Sequence, residues 1–323
     1  MKDMRKFEVV EKISKTIDYN SYRWNKESID RYLLKYDDKR IIECMTIVHL
    51  KDDEELDLTV ELSNMYNCVV GCRFCASGSL PESHVYLSAD DYLKQVDTCL
   101  EESGLNPYDY PKFYIAFTGI GEPSIVKEEI ALGIRKIQEK YSNVEVNIAT
   151  TAFDNTCFQY WAGMDLPIRT LQLPYYSCDS EKMKYIIRNL PKGYDLNLNI
   201  SEAIKYKRCH EMCRVKVNFV VIEGLNSSYQ EIDRMLAFLE PFKEEVILKI
   251  SFLNHTKKCQ EYNLASPNYE RMLEIVNIIR SRGFNCYLFG TKNNTELGCG
   301  QLVQNYISKD EEPDSGKKLK KVY

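Results

Sequence analysis

From about residue 110 the chain alternates between two periodicities. Phe113–Phe117 is an unbroken apolar run, and Ile130, Ile134, Ile137 and Tyr141 then recur at helical spacing. Val144–Ala149 alternates apolar and polar positions, a short helical stretch follows at 154–162, and 168–173 and 215–222 are further strand candidates. Ser227 with Gln230 three residues on carries a capping-box signature before a helix bearing Ile232, Met235, Leu236 and Leu239. The pattern closes with a strand at 246–252 and a helix opened by Ser266-Pro267. That helix turns Tyr269, Met272, Leu273, Val276 and Ile279 inward and stops at Gly283, before a last strand at 284–289. Upstream, 57–63 reads as a strand and 88–103 as a helix.

Repeated β–α pairs of this length predict a parallel sheet with helices outside it. Six pairs predict an α/β fold, a partial TIM-like (β/α)6 barrel with its site at the C-terminal strand ends. Residues 1–52 read as a small N-terminal helical extension, 53–307 as the barrel core with a C-terminal segment, and 308–323, which is polar, as a disordered tail.

Composition narrows the class. No stretch approaches the roughly 18–20 apolar residues of a membrane helix, and the charged start MKDMRKFEVVEKISK has no apolar segment of a secretory signal. The expected location is the cytoplasm. There, twelve cysteines read as thiols, metal ligands or buried small hydrophobes rather than a disulfide scaffold. A net charge of −5 argues against a general nucleic-acid binder. Residues 1–40 carry 11 Lys/Arg against 8 Asp/Glu, while 41–60 carry one Lys against six acids, so no strong basic face stands out.

The chemistry concentrates in Asn67-Cys68-Val69-Val70-Gly71-Cys72-Arg73-Phe74-Cys75. Three thiolates at C-x3-C-x2-C, in a loop just after a strand, can converge on three irons of a [4Fe–4S] cluster. The fourth iron is then free to chelate the amino and carboxylate groups of S-adenosylmethionine (SAM), and an electron passed into the sulfonium gives a 5′-deoxyadenosyl radical. Structural zinc is the alternative, but such sites want four ligands in two pairs. Cys209-x3-Cys213 with His210 is the only other cluster and reads as a polar loop. Phe74, directly before Cys75, fits the radical-SAM signature. After the second barrel strand, Gly119 and Gly121 permit close backbone approach, and Glu122 can accept from the methionine ammonium of SAM.

Four segments, NCVVGCRFCASG, FTGIGEPS, VNFVVIEGLNSS and LGCGQL, resemble the RlmN/Cfr family of radical-SAM methyltransferases, in order from about residue 57 to 305. The resemblance implies that Cys299 is methylated by one SAM and that a second SAM supplies the radical that activates this methyl. The activated carbon then adds to an sp² carbon of an adenine-like acceptor. It also implies SAM contacts from Phe74, Gly121, Glu122, Thr150, Thr151, Gln172 and Asn254, and a flavodoxin- or ferredoxin-type electron donor. The chain departs from the family in places. The family's Ser-Thr-Ser-Gly becomes Ala149-Thr150-Thr151-Ala152, and its Ser-Leu-His becomes Gln172-Leu173-Pro174. Seven residues before the cluster motif, Glu61 replaces the family's second catalytic cysteine. A carboxylate can act as a base but cannot form the disulfide that releases product, so either another thiol does so, with Cys44 and Cys286 the candidates, or resolution follows different chemistry, or no adduct forms. Family members carry a longer accessory domain before the cluster, whereas 67 residues that are not strongly basic precede Cys68 here. With the acidic net charge, this favours a nucleotide or other small molecule over structured RNA as acceptor. The alternative is direct radical chemistry on a substrate without methyl transfer. Tyr175 and Tyr176, at a strand end, are candidates to stack on a planar substrate.

Overall fold

The structure, a computed structural model, describes residues 7–18, 24–37, 40–80, 86–290 and 300–311. Ten strands form one sheet in chain order: β1 (Glu8–Asp18), β2 (Lys26–Asp37), β3 (Arg40–Lys51), β4 (Glu54–Glu61), β5 (Phe113–Phe117), β6 (Val144–Ala149), β7 (Ile168–Tyr175), β8 (Arg214–Val220), β9 (Val246–Ser251) and β10 (Cys286–Phe289). Strands β4 to β10 pair in parallel. Between them lie α1 (Ala89–Ser103), α2 (Lys127–Lys140), α3 (Thr156–Ala162), α4 (Ser180–Ile186), α5 (Leu196–Cys209), α6 (Tyr229–Leu239), α7 (Lys257–Glu261) and α8 (Tyr269–Ser281), and α9 (Gln301–Glu311) follows β10. This is the partial TIM-like barrel the sequence predicts, with six β/α repeats and a closing strand.

The first 50 residues correct the sequence reading. No helical extension is present among the described residues. Instead β1, β2 and β3 pair antiparallel and continue into β4 through a turn in which Asp52 and Asp53 both have positive φ, as a two-residue hairpin turn matched to sheet twist requires. A boundary at residue 52 would therefore cut a hairpin. The misreading has a physical cause, because β2 and β3 are buried on both faces. Tyr32, Leu34, Ile42, Cys44 and Val48 join the main core, while Leu33 and Ile41 pack with Leu302 and Val303 of α9. A strand covered on both sides loses the period-two alternation that marks a half-buried one.

Other boundaries shift by a residue or two. Ser228, not Ser227, caps α6 by accepting from the Glu231 amide, and Asn268 caps α8 by accepting from the Arg271 amide at 2.9 Å. In α8, Met272, Ile275, Val276 and Ile279 are buried, whereas Tyr269 and Leu273 are exposed. The expected tail begins later than residue 308, since α9 runs to Glu311; 312–323 lie outside the described residues. Among the described residues no helix is long and apolar enough to cross a membrane.

Along the barrel strands, alternate side chains divide between core and lumen. Leu58, Val60, Ile115, Val217, Phe219, Leu248 and Ile250 point outward into the main apolar core beneath the helices. The positions between them, among them Glu61, Asn218, Lys249 and Ser251, therefore face the lumen.

Candidate radical and methyl-carrier site

The three cysteines sit on the loop that leaves the C-terminal end of β4. Gly71 has φ +65°, which lets the chain reverse inside the motif. The Cys75 amide then donates to the Cys72 carbonyl at 3.1 Å, and the Cys68 amide to the Ser77 carbonyl at 3.1 Å. The Arg73 amide donates to the Ile186 carbonyl at 2.9 Å, tying the loop to α4. Cys68, Cys72 and Cys75 line one cavity of about 190 Å³ with Phe74, Gly121, Glu122, Thr150, Thr151, Gln172 and Tyr176. Burial pushes the Cys68 and Cys72 thiols upward, and the neighbouring thiol of Cys75 and the Glu122 carboxylate push them the same way. Such crowding of potential anions is relieved by a cationic metal centre, so the donor set fits an iron–sulfur cluster. Among the described residues no three ligating side chains are yet drawn to metal-binding distance. Cys209 is exposed, Cys213 is buried, and His210 stacks on Tyr206 at 4.2 Å, so the second cysteine cluster gathers no site.

Glu122 is almost fully buried and sits at the centre of a network. It accepts from the Ser124 amide at 3.1 Å and hydroxyl at 2.8 Å, from the Thr151 amide at 2.8 Å, and from both the Thr150 and Thr151 hydroxyls. A carboxylate offers about four lone-pair sites. An incoming ammonium would therefore have to take the place of a threonine hydroxyl. The two threonines that replace the family's Thr-Ser pair thus bind the carboxylate across β6 to the β5 loop. Gly121 has φ +123°, and a Cβ there would stand 2.1 Å from Asn64 Oδ1.

Phe74 meets Tyr176 edge-on, with ring centroids 5.5 Å apart, and both line a second cavity of about 290 Å³ with Cys75, Thr118, Asn218, Lys249, Ser251 and Asn254. The two cavities are neighbours, with Phe74, Cys75, Thr118, Tyr176 and Asn218 lining both. Tyr175, by contrast, is buried against Phe219 and Phe238 and serves packing. Gln172 lines the first cavity and accepts the Thr150 amide through its own carbonyl at 2.9 Å. Asn254 is exposed at the rim, where its carbonyl accepts from the Cys259 thiol at 3.1 Å.

Glu61 ends β4 and is half-buried. It is linked to both cavities through Thr118, whose hydroxyl it accepts. Burial raises its carboxyl above the usual range, against the lowering effect of that hydrogen bond and of Arg31. Neither substitute thiol lies nearby. The Cys44 thiol points into the core and donates to Gln95 Oε1 at 2.9 Å, and the Cys286 thiol faces the Val276 carbonyl at 3.7 Å. Among the described residues, the cysteine triplet supplies the cavities' only thiols.

Cys299 lies outside the described residues, but its sequence neighbour Gly300 is described and is tightly held. Glu43, on β3, accepts the Gly300 amide and, at 3.0 Å, the Leu302 amide; its carboxylate also pairs with Arg31 at 3.0 Å. Gln304 donates to Ser79 Oγ at 2.8 Å, and Gln301 to the His255 carbonyl at 2.5 Å. With φ +82° and a would-be Cβ 2.5 Å from the Ser77 amide, Gly300 packs directly on the 3-10 turn Ala76–Ser79 that follows Cys75. Sequence reasoning missed Glu43, Thr118, Asn218, Lys249 and Ser251. For Lys249 there was a signal, a lone charge inside the strand VILKIS. Glu43 had none, because its partner is 257 residues away.

No family model matches the chain. It is 22% identical over 313 residues to a probable dual-specificity RNA methyltransferase RlmN of Listeria welshimeri, covering 92% of this chain and 79% of that protein. The dual-specificity RNA methyltransferase RlmN of Wolinella succinogenes is 25% identical over 273 residues, covering 80% and 72%. Among solved structures, a radical SAM methyltransferase from Sphaerobacter thermophilus superposes with a TM-score of 0.73 at 20% identity, covering 92% of this chain and 81% of that one.

Proposed function

We propose that this RlmN/Cfr-like radical SAM methyltransferase, which uses a [4Fe–4S] cluster and SAM, passes a SAM-derived methyl carbon through Cys299 to an sp² carbon of an adenine-like nucleotide. When bound, the cluster and SAM supply a transferable methyl and a 5′-deoxyadenosyl radical; a flavodoxin- or ferredoxin-type protein would supply the electron. The rest is the work of the chain's own residues. Cys68, Cys72 and Cys75 hold the cluster, leaving the space toward Glu122 and Phe74 for SAM. The Glu122 network with Thr150 and Thr151 fixes the β5 and β6 ends that wall this space. Phe74 and Tyr176 give it an aromatic side, and Gln172 and Asn254 stand at its edges. Glu61, whose carboxyl burial raises above the usual range, takes the role of base toward the acceptor carbon in this reading.

The observation that carries this reading is the docking of Gly300 on the turn that follows Cys75. Gly300, the residue that follows the proposed carrier thiol in sequence, is itself held against that turn and by Glu43. Among the described residues no thiol besides the triplet lines these cavities, which supports a release route other than disulfide formation with a second resident cysteine.

A second reading, with RNA as acceptor, is favoured by the names of the relatives. Net charge −5 and the polar lumen favour a small nucleotide. Feeding methyl-labelled SAM to the reconstituted enzyme with either total RNA or a protein-free small-molecule extract separates the two. Label in the small-molecule fraction is expected, while label in RNA alone would move the assignment to RNA. S-adenosylhomocysteine should form alongside deoxyadenosine. Deoxyadenosine alone would replace methyl transfer with direct radical chemistry.

A further inference from the structure

Lys249 is the strongest feature that the proposed mechanism does not use. It stands on β9 between Leu248 and Ile250, both of which point into the core, so its own side chain enters the lumen. There it lines the 290 Å³ cavity together with Cys75 and Phe74. Its ammonium lies 3.6 Å from the centroid of Phe289. Among the described residues no carboxylate lies within ion-pair distance of it. The charges it senses are a second cation, Lys216 on β8, and two more distant carboxylates, Glu61 and Glu27. Burial and Lys216 together lower its ammonium to about 7. A cation taken out of water without a counter-ion is unfavourable unless something compensates it, and cation–π contact offsets only part of that cost.

The surroundings are those of an anion acceptor. Asn218 is the register partner of Lys249 on β8. Ser251 donates its hydroxyl to Asn218 Oδ1 at 2.6 Å, which leaves the Asn218 amide NH2 as a donor toward the cavity. Thr118, whose hydroxyl is already donated to Glu61, lines the same cavity. An ammonium and an amide NH2 are thus grouped on neighbouring strands in a cavity whose described lining holds no carboxylate.

We propose that Lys249 and Asn218 form the recognition site for an anionic group of the acceptor, a phosphate or a carboxylate, which orients that acceptor in the lumen below the cluster loop. This rests on the reading of the acceptor as a small nucleotide-like molecule. It deepens that reading by requiring a negative charge on the acceptor.

The test is isothermal titration of reconstituted holoenzyme, saturated with SAM, with inorganic phosphate, acetate, adenosine and AMP, for the parent protein, Lys249→Met and Lys249→Arg. Phosphate or acetate should bind the parent, and the stronger of the two identifies the anion class. Lys249→Met should weaken that anion about tenfold or more, as loss of a charged hydrogen-bond donor implies, while Lys249→Arg retains most of the affinity. SAM affinity should be the same in all three, and the melting temperature of Lys249→Met without anion should not fall. The proposal is overturned if neither anion binds the parent. It is equally overturned if both bind Lys249→Met unchanged, or if the variant loses SAM rather than anion affinity. Adenosine failing to bind while phosphate or acetate binds through Lys249 would refute the adenine reading and leave the anion site standing.

Discussion

Replacing Glu43 with Gln should release the carrier segment from the cluster loop while leaving the barrel folded. Glu43 and Arg31 are both at least 95% buried, at 3% and 4% side-chain exposure. The carboxylate serves two backbone amides, those of Gly300 and Leu302, and the Arg31 guanidinium at 3.0 Å. A glutamine keeps one acceptor oxygen and turns an NH2 toward the other partner. One buried amide is then left unpaired, a loss of about 1–3 kcal/mol, and Arg31 loses the buried carboxylate it pairs with at 3.0 Å, where breaking such a pair typically costs about 3–5 kcal/mol. The two are not additive, since undocking of α9 lets water reach both groups. The expected change is therefore about 3–5 kcal/mol, taken mainly as local opening. Hydrogen exchange should show the first-turn amides of α9 losing protection well before those of β5 and β6, and iodoacetamide should label Cys299 faster in the variant, read by peptide mass spectrometry. Glu43→Gln combined with Arg31→Met should recover part of the loss, because the arginine that the lost carboxylate paired with is gone as well. Unchanged α9 protection and unchanged Cys299 labelling in Glu43→Gln would refute the claim that this carboxylate docks the segment.

Two further outcomes follow from the geometry. Burial works against charging His49, but its hydrogen bonds to Asp57 at 2.5 Å and Glu27 at 3.2 Å outweigh that and hold the imidazolium up to about 9 from the usual 6.5. The folded-state value is raised, so this stabilisation is complete below about pH 6.5 and is lost as pH rises through 9. At about 1.4 kcal/mol per unit it amounts to at most about 3 kcal/mol, visible in urea unfolding between pH 6 and 10 and absent in His49→Gln. Gly300→Ala would place a Cβ 2.5 Å from the Ser77 amide at a left-handed φ of +82°. It should abolish methylation of Cys299 while the cluster's visible absorbance, held by other residues, is retained; loss of the cluster itself would show that Gly300 matters for more than docking.

The barrel was legible because its strands and helices have opposite faces of different polarity: α1, for example, carries its capping box at Ser88 and Asp91 and a buried stripe through Tyr92, Val96 and Cys99. Strands β2 and β3 were not, because neighbouring residues such as Ile41 and Ile42 are both buried, on opposite faces, and so carry no period. The site divides in the same way. The cysteine triplet, Gly121 and Glu122 lie in local motifs whose spacing is itself the chemistry. Lys249, Asn218 and Glu43 act through neighbours brought together only by sheet register, as Asn218 against Lys249 shows. Thr150 and Thr151 were found as positions but not for what they do, since their pairing with Glu122 spans 28 and 29 residues. Cys44 looked available by sequence, yet the pleat of β3 turns it to Gln95 and away from the lumen.

The central claim is that Cys299 carries the methyl. Reconstituted, reduced enzyme incubated with SAM bearing a trideuterated methyl, then digested and analysed by peptide mass spectrometry, should show the label on the peptide containing Cys299 and on no other cysteine, with S-adenosylhomocysteine formed in step. A Cys299 peptide without label, in enzyme that still cleaves SAM to deoxyadenosine, would contradict it.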